Sequence, residues 1–411
     1  MAEKFEVTIQ SLVYGGSGMT RLPDGRAVFV PFTLPDEKVK VTIREEKKGF
    51  VLANLLDILQ SSPQRITPRC KHFTLCGGCH YQHMGYEHQL DYKKTILTEQ
   101  LQRLGGIVQP TISQVIPSPE PWHYRNSLQF HLSPQGRLGF EHSRSNQTLE
   151  IQVCHFPLPA ISQAWPQLDF EYLPEIERVE LRQGDDDELL MVLSSTDPTP
   201  PEFETEMPLS AVHISPQGQI ILAGSDHLPM TIHGKTFRVN ATSFFQVNNW
   251  MAEKMVSLLL EKVSFSKDML VLDAYCGVGL FSRFVAPLVG RCLGVESSSS
   301  ACQDYAFNLD EFDNVSLYEG TAELVLPLLE EKPDLVILDP PRSGVGKPAL
   351  DAILRMSPRQ VVYFSCNPAT LARDTHQFLS SSYQLQETIL LDMFPQTFHI
   401  ESCLLMSRVN E

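Results

Sequence analysis

Val271-Leu-Asp-Ala-Tyr-Cys-Gly-Val-Gly279 is the stretch that decides the fold of the C-terminal half of the chain. It predicts an apolar strand that runs into a glycine-rich turn and then a helix, and Gly294-Val-Glu296 closes the next strand. From about residue 240 onward, apolar runs alternate with helical stretches, which is typical of a parallel sheet. The sequence therefore predicts a Rossmann-like α/β domain over residues 236–411.

Two later apolar runs of this domain end in polar residues. The run Leu335–Leu338 leads into Asp339, and the run Val361–Phe364 leads through one serine into Cys366. Ligands of open α/β sheets bind at the carboxyl ends of the strands, so these two residues are expected to face one crevice. One is a candidate nucleophile and the other is a hydrogen-bond acceptor.

The glycine turn and its neighbours predict an adenosine cofactor. Glycines let a ligand approach the backbone closely, and Glu296 at the end of the second strand could accept both ribose hydroxyls. The turn alone also fits an incidental tight turn. An Asp-Pro-Pro sequence after the fourth strand favours a cofactor without pyrophosphate, and S-adenosylmethionine fits best; the pattern resembles class I methyltransferases.

Cys366 read alone is a buried structural thiol, because free cysteine behaves as a small hydrophobe. Its place before a predicted helix that starts near Pro368 favours a thiolate instead. A methyltransferase needs a thiolate when the target atom is a poor nucleophile, as uracil C5 is: sulfur adds to C6, C5 takes the methyl group, and a base removes the C5 proton. Glu401 is the predicted base and His399 is the second candidate.

The first half of the chain predicts two further domains. Residues 1–62 alternate in the β manner and suggest a small barrel of the OB type with four or five short strands. Residues 63–235 predict a central α+β domain with a cysteine motif, a helix and two hairpins whose turns are SPQG sequences. The acidic, proline-rich stretch 184–201 is interpreted as an exposed loop.

Three cysteines, Cys70, Cys76 and Cys79, cluster in the central segment with two glycines between the last pair. In a reducing compartment such spacing indicates a metal centre more than disulfides. A histidine could complete a zinc site, and a distant cysteine could complete a 4Fe-4S cluster. The candidate histidines are His72, His80 and His83.

Composition sets limits on compartment and partners. The 411-residue chain is 42% hydrophobic, holds no stretch long enough to cross a membrane, and begins without a signal-peptide pattern, so a cytoplasmic protein is predicted. The net charge of −16 argues against nucleic acid, yet residues 1–69 hold ten basic against eight acidic residues. A local basic face is therefore compatible with RNA. No feature demands a protein partner, and a monomer is expected.

The residues just described resemble the RNA uracil-5-methyltransferase family over essentially the whole chain. Ser365-Cys366-Asn367-Pro368 is similar to the nucleophile motif of that family, His399-Ile-Glu401 to its base motif, and residues 1–60 to the RNA-binding TRAM domain. The resemblance implies cofactor contacts at Gln246, Tyr275, Leu280, Glu296, Thr321 and Asp339. Leu280 and Thr321 replace the asparagine of some relatives, so any contact that they make is expected to pass through the backbone.

The resemblance also implies a metal centre and a substrate. The ribosomal-RNA branch of the family has the same cysteine spacing with a fourth ligand well downstream, and Cys154 lies at a comparable distance, which implies a 4Fe-4S cluster. A TRAM domain with that cluster points to 23S ribosomal RNA, whereas some archaeal relatives with similar parts act on transfer RNA. Phe244 and Asp339 are implied to face the substrate base, and Arg125 to approach RNA.

Two other readings compete with this one. An amino-methyltransferase acting on a base nitrogen also carries Asp-Pro-Pro after the fourth strand, but that chemistry needs no thiol. A non-catalytic RNA-binding or assembly factor could keep the fold, although it would not need S-adenosylmethionine. Cys366 argues against the first alternative, and the intact set of Gln246, Glu296, Asp339, Cys366 and Glu401 argues against the second.

Overall fold

The computed structural model describes residues 4–143, 145–171, 173–202 and 204–409. Three large sheets and one two-stranded ribbon organise these ranges. Within the same ranges, no helix has both the length and the apolar character that a membrane crossing requires.

The N-terminal sheet has six strands in the order β1-β5-β6-β4-β3-β2. Its strands are β1 (Lys4–Thr8), β2 (Ser11–Leu12), β3 (Ser17–Arg21), β4 (Ala27–Pro31), β5 (Lys38–Glu46) and β6 (Phe50–Gln60). Alternate side chains such as Val28, Val39 and Val51 are fully buried in a separate core. The small β domain is therefore confirmed, with one strand more than expected because β2 has only two residues.

The central segment builds a seven-stranded sheet in the order β10-β9-β8-β11-β12-β13-β14. The elements of this segment are α1 (Tyr86–Arg103), β7 (Gln114–Ile116), β8 (Ser127–Leu132), β9 (Leu138–Glu141), β10 (Thr148–Glu150), α2 (Pro159–Ala164), β11 (Ile176–Gln183), β12 (Leu189–Ser195), β13 (Ser210–Ser215), β14 (Gly218–Ala223), β15 (His227–Ile232) and β16 (Lys235–Asn240). The two SPQG sequences join β8 to β9 and β13 to β14, as the hairpin prediction requires.

The acidic stretch 184–201 is not the exposed loop that its composition suggested. Asp185–Asp187 form one tight turn, and β12 follows immediately with Leu190 and Met191 fully buried. The strand pairs with both β11 and β13 in the interior of the sheet. Five consecutive apolar residues can be buried on both faces of a sheet, and this signal outweighs the acidic residues beside it.

The C-terminal sheet has eight strands in the order β19-β18-β17-β20-β21-β23-β22-β7. Its further elements are α3 (Asn249–Lys262), β17 (Leu270–Asp273), α4 (Ser282–Val285), β18 (Arg291–Glu296), α5 (Ser299–Asn308), β19 (Val315–Glu319), α6 (Ala322–Val325), β20 (Leu335–Leu338), α7 (Lys347–Met356), β21 (Gln360–Ser365), α8 (Pro368–Leu379), β22 (Tyr383–Leu391) and β23 (Glu401–Arg408). Strands β17 to β21 are parallel, and β23 runs antiparallel to both of its neighbours.

Two elements of the predicted central segment, α1 and β7, pack with the C-terminal domain. Strand β7 pairs in parallel with β22, and helix α1 packs against α8. Lys93 of α1 forms a fully buried ion pair with Asp392, at a nitrogen-to-oxygen distance of 2.5 Å. The predicted domain boundaries at residues 62 and 235 stay predictions. Helix α1 and strand β7 pack against the C-terminal domain, which carries the candidate site.

Candidate active site

The residues with chemical potential meet at one edge of the C-terminal sheet. Asp339 follows the last residue of β20, and Cys366 follows the last residue of β21. Strand β23 starts at Glu401 and runs antiparallel to β21, with Ser365 opposite Ser402. The next position outward brings Cys366 and Glu401 to the same level, so the nucleophile and base candidates emerge side by side.

Cys366 lies in a short turn between β21 and α8. The side chain of Asn367 caps α8 by accepting a hydrogen bond from the Ala369 amide at 3.1 Å, and its Nδ2 donates to the carbonyl oxygen of Arg342 at 2.9 Å. These bonds fix the turn that presents the thiol. Pro368 at the first helical position has no amide proton to satisfy there.

Burial opposes the expectation that the helix N-terminus holds Cys366 as a thiolate. Burial raises the pKa of the thiol to about 12, and the nearby carboxyl groups of Glu401 and Asp339 add to this effect. The charge of Arg342 opposes it without compensating fully. Burial and two acidic neighbours outweigh the helix end, so the thiol keeps its proton until a reaction removes it.

Glu401 is almost completely buried, and one of its carboxylate oxygens, Oε1, has no hydrogen-bond partner among the described residues. Burial raises the pKa of this carboxyl group well above its usual range, and Asp339 raises it further. Burial also raises the pKa of Asp339, while the Gln246 side-chain amide donates to Asp339 Oδ2 at 3.1 Å. The pocket therefore holds two acids whose charged forms are disfavoured.

The loop that precedes Glu401 is anchored from three sides. Gln89 of α1 exchanges hydrogen bonds of 2.9 Å with the backbone amide and the side chain of Gln396. The Tyr124 hydroxyl donates to the Pro395 carbonyl at 3.1 Å, and the amides of His80 and Tyr81 donate to the Gln396 carbonyl. The position of Glu401 thus depends on contacts from the cysteine segment and from α1.

The cofactor half of the edge is built around Glu296, which is half-buried. Its carboxylate accepts hydrogen bonds from the backbone amides of Gly277 at 3.0 Å and of Ser297 and Ser298 at 2.7 Å each. Gly277 has a φ of +52°, and a Cβ placed there would meet no atom within 4 Å. The turn therefore leaves open space over its backbone, as the approach of a ligand requires.

Asp273 ends β17 beneath this turn and is a site residue that the sequence reasoning missed. It is fully buried, its Oδ2 accepts from the Ser282 hydroxyl at 2.7 Å, and its Oδ1 has no partner among the described residues. Burial raises the pKa of Asp273 to about 7. The buried Tyr275 hydroxyl also lacks a partner in the described ranges. Unpaired polar atoms near the glycine turn fit a polar cofactor such as S-adenosylmethionine.

Leu280 and Thr321 are placed differently from the other residues for which the resemblance implies cofactor contacts. The Leu280 side chain is buried in the core against β17, so it does not present a polar group to the turn. Thr321 is exposed and begins α6 directly after the glycine that follows β19. Its side chain makes no cap hydrogen bond to the helix. A backbone contact from either residue stays a prediction.

Phe244 and Arg125 line one large cavity with a volume of about 620 Å³, and its lining does not include Cys366, Asp339 or Glu401. The Phe244 ring is 69% exposed, which is unusual for an aromatic side chain and leaves it free for stacking. Arg125 is half-buried, and its Nε has no hydrogen-bond partner among the described residues. Both residues therefore have unused binding capacity in this cavity.

The four cysteines Cys70, Cys76, Cys79 and Cys154 line the same cavity. In the ranges that the structure describes, no group of three or more Cys, His, Asp or Glu side chains is arranged to hold a metal ion. His72 also lines the cavity, whereas His83 packs on Phe73 and His80 packs on Phe398. Four thiols are a donor set that both a zinc ion and a 4Fe-4S cluster use, so the lining of the cavity does not choose between these two groups.

The strand order, the glycine turn and the acidic residue after the second strand define a class I methyltransferase fold. The model of the tRNA (Uracil-5-)-methyltransferase family matches residues 217–409, and that of the TRAM domain matches residues 2–56. An RNA methyltransferase of Halalkalibacterium halodurans is 33% identical, with 98% of this chain and 97% of that protein covered. The chain therefore belongs to the RNA uracil-5-methyltransferase family, which uses S-adenosylmethionine.

Two further similarities agree with this assignment. An RNA methyltransferase of Aquifex aeolicus is 33% identical, with 98% of both chains covered. The crystal structure of Pyrococcus abyssi tRNA (uracil-54, C5)-methyltransferase with S-adenosyl-L-homocysteine superposes with a TM-score of 0.74 at 24% identity. It covers 98% of this chain and 100% of that chain, so the fold is shared over the full length.

Proposed function

We propose that this enzyme methylates C5 of one uridine in 23S ribosomal RNA through a covalent bond between Cys366 and uracil C6. One observation carries the proposal: Cys366 and Glu401 emerge at the same level from two adjacent strands, with Asp339 beside them. Methyl transfer to a base nitrogen needs neither a thiol nor a second base, so this pair is specific to carbon methylation.

The reaction starts with the Cys366 thiol. Its sulfur forms a bond to C6, its proton passes to the Asp339 carboxylate so that Glu401 stays free for the later step, and the electrons of the C5–C6 double bond move toward the C4 carbonyl. The raised pKa of Cys366 makes the sulfur a strong nucleophile once the proton has left. The charge of Arg342 lowers the pKa of the thiol and favours that loss.

Glu401 is the proposed base of the second half of the reaction. After C5 has accepted the methyl group, Glu401 takes the C5 proton, the C5–C6 double bond forms again and the bond between C6 and sulfur breaks. Burial raises the pKa of Glu401, so its carboxylate holds a proton firmly. His399 is the weaker candidate, because burial and Arg342 lower its pKa to about 3.

The cofactor half binds and orients S-adenosylmethionine in this proposal. When bound, S-adenosylmethionine supplies an electrophilic methyl group attached to a positively charged sulfur. Glu296 has remaining acceptor capacity at Oε2 for a ribose hydroxyl, and Tyr275 has a free hydroxyl. The proposed contact residues are Gln246, Tyr275, Leu280, Glu296, Thr321 and Asp339. Leu280 and Thr321 are expected to act through their backbone groups.

The target uridine must leave its stack to reach a thiol at the floor of this pocket. We assign Phe244 as the ring that stacks on the flipped base, because it is exposed and stands two residues before Gln246, whose side chain donates to Asp339. Asp339 is the proposed acceptor for a polar group of the uracil. Arg125 is the proposed contact to the RNA backbone, because its guanidinium lies half-buried with free donor capacity.

We also propose a 4Fe-4S cluster held by Cys70, Cys76, Cys79 and Cys154, which all line one cavity. The methylation has no redox step, so the cluster would act in structure and in shaping the RNA surface. Anaerobic purification should give a brown protein with about four iron atoms per chain. A colourless preparation that binds zinc and no iron would contradict this assignment.

The choice of 23S ribosomal RNA rests on the combination of TRAM domain and cysteine motif, which the family resemblance associates with the ribosomal branch. A second candidate is transfer RNA, because the structurally similar Pyrococcus abyssi enzyme is a tRNA (uracil-54, C5)-methyltransferase. We further propose that the protein acts as a monomer in the cytoplasm, where both RNAs occur.

One experiment separates these possibilities. The anaerobically purified protein is incubated with S-adenosylmethionine carrying a labelled methyl group and with unmodified 23S ribosomal RNA or transfer RNA, and each RNA is digested to nucleosides. Labelled 5-methyluridine from the ribosomal RNA alone is the expected result. The same product from transfer RNA alone would change the substrate. Labelled methyladenosine or methylcytidine would overturn the Cys366 mechanism, and the absence of any product would favour a non-catalytic role.

A further inference from the structure

The hairpin turn between β2 and β3 of the N-terminal domain reaches into the catalytic region. The Tyr14 ring lies in this turn and meets the Phe398 ring edge-on, with 5.8 Å between the ring centres. Phe398 belongs to the anchored loop that leads to Glu401. A residue of the RNA-binding domain thus packs directly on the loop that positions the proposed base.

The turn is fitted closely to this place. Gly16 has a φ of +81°, and a Cβ placed there would lie 3.2 Å from the Phe398 Cβ and 3.3 Å from the His80 Cβ. Both contacts are tighter than ordinary van der Waals packing, so glycine is required at this position. The close fit of Gly16 therefore holds the turn against Phe398 and His80, and the Tyr14 ring packs on Phe398.

Tyr14 lies within electrostatic range of the reacting groups. Burial raises the pKa of its hydroxyl, Cys366 and Glu401 raise it further, and Arg342 opposes them. The ring is half-buried and packs against the core below the sheet edge. In the part of the chain that the structure describes, no residue forms a hydrogen bond with the Tyr14 hydroxyl. The Tyr14 hydroxyl therefore has a donor available, and its ring packs on Phe398, three residues before Glu401.

We propose that Tyr14 is a substrate-binding residue that closes the uridine pocket from the side of the TRAM domain. This inference rests on the proposed function. A flipped uracil offers two carbonyl acceptors and a flat ring, which match a phenol that has both a free donor and an aromatic surface. Tyr14 belongs to the N-terminal barrel. RNA binding to the barrel would therefore be coupled to placement of the target base in the catalytic pocket.

Trapping with 5-fluorouridine tests the proposal. Fluorine at C5 cannot leave as a cation, so the enzyme adds through Cys366, transfers the methyl group and then stays bonded to C6. The rate of adduct formation at saturating RNA therefore reports the seating of the base, and it does not require proton abstraction. Purified protein is mixed with S-adenosylmethionine and 23S ribosomal RNA transcribed with 5-fluorouridine, and the adduct is separated by denaturing electrophoresis.

Tyr14→Ala is expected to slow adduct formation about 10²-fold at saturating RNA, because a misplaced reactant loses the near-attack geometry. Tyr14→Phe keeps the ring and loses one hydrogen bond, so a decrease of about fivefold is expected. S-adenosylmethionine affinity, measured by calorimetry, should stay unchanged in both variants. Phe5→Ala, which perturbs the core of the barrel away from the turn, is the matched control and should form adduct at the wild-type rate.

The possible outcomes separate this inference from the proposed function. If the wild-type protein forms neither 5-methyluridine nor an adduct, the proposed function fails. If the wild-type protein reacts and Tyr14→Ala forms adduct equally fast at saturating RNA, the inference is overturned, even where RNA affinity falls. An equal loss in Phe5→Ala would also overturn it, since any disturbance of the barrel would then have the same effect.

Discussion

The two halves of the sheet edge hold their carboxylates in opposite ways. In the cofactor half, Glu296 is half-buried and receives three backbone amides, those of Gly277, Ser297 and Ser298. In the nucleophile half, Glu401 is only 3% exposed, and its Oε1 has no partner among the described residues. One carboxylate is satisfied by its own turn, whereas the other is buried with an unused acceptor.

This difference separates binding from chemistry. A carboxylate held by fixed amides keeps one orientation. It can still accept a hydrogen bond from a cofactor at its remaining acceptor position. A buried acceptor without a partner costs roughly 1–3 kcal/mol of stability, and burial shifts its pKa toward the protonated form. In the nucleophile half, the substrate must therefore supply the missing partner of Glu401. We expect the two halves to respond differently to substitution.

Cys366→Ala tests the nucleophile half most severely. Turnover should fall by about 10⁴-fold or more, because no other group can form the bond to C6. S-adenosylmethionine affinity should stay at the wild-type value, since Glu296 and its turn are untouched. Labelled methyl incorporation and calorimetry measure the two effects. Cys292→Ala, a buried thiol on β18, is the matched control. Residual activity close to wild type would remove the covalent mechanism.

Glu401→Gln should separate the two steps of the reaction. The amide cannot accept the C5 proton, so turnover is expected to fall about 10²–10⁴-fold while addition and methyl transfer continue. A covalent complex between protein and RNA should therefore accumulate and survive denaturing electrophoresis. His399→Gln should not accumulate it. Normal turnover by Glu401→Gln would show that another group removes the proton.

Glu296→Ala should affect the opposite half. Loss of a charged acceptor for a ribose hydroxyl is expected to weaken S-adenosylmethionine about 10- to 100-fold. At saturating cofactor, the rate of adduct formation with 5-fluorouridine RNA should recover, because Cys366 and Glu401 are unchanged. Glu296→Gln keeps one oxygen for the amides and should lose less affinity. A defect that persists at saturating cofactor would contradict the separation of the two halves.

The sequence predicts the parts of this site that depend on local pattern. Strands β20 and β21 are buried on both faces and read as continuous apolar runs, so the residues that follow them, Asp339 and Cys366, could be assigned to one edge. Glu401 could be assigned from its place after the strand-like run 388–391 and from the family's base motif, whereas the pairing of β23 with β21 is known only from the structure. The protonation state of Cys366 could not, since burial and two acidic neighbours overrule the helix end.

Long-range contacts escaped the sequence for a physical reason. Strand β7 joins the catalytic sheet by pairing with β22, more than 250 residues away in the chain, and no local signal marks that partner. Tyr14 packs on Phe398 through a contact between distant parts of the chain, which periodicity cannot reveal. The acidic turn before β12 concealed a buried strand, because composition averaged over the stretch hid five apolar residues.

Asp273 offers the smallest and most specific test, because it lies in the cofactor half yet resembles Glu401. It is fully buried with an unpaired Oδ1, and burial raises its pKa from 3.8 to about 7. Since the pKa is higher in the folded state, its stabilising contribution is complete below pH of about 4 and is lost as the pH rises through about 7.

Asp273→Asn removes this titration while an amide oxygen can still accept from Ser282. The melting temperature of the variant relative to wild type should rise by a few degrees between about pH 5 and pH 8, because only the wild-type protein must then hold a buried charge. Asp351→Asn, at a solvent-exposed helical position, is the control and should follow wild type at every pH. If the melting temperatures of wild type and Asp273→Asn change with pH in the same way, Asp273 ionises freely in the folded protein. Its unpaired oxygen would then be solvated like Glu296, and the contrast would be confined to Glu401 and its neighbours.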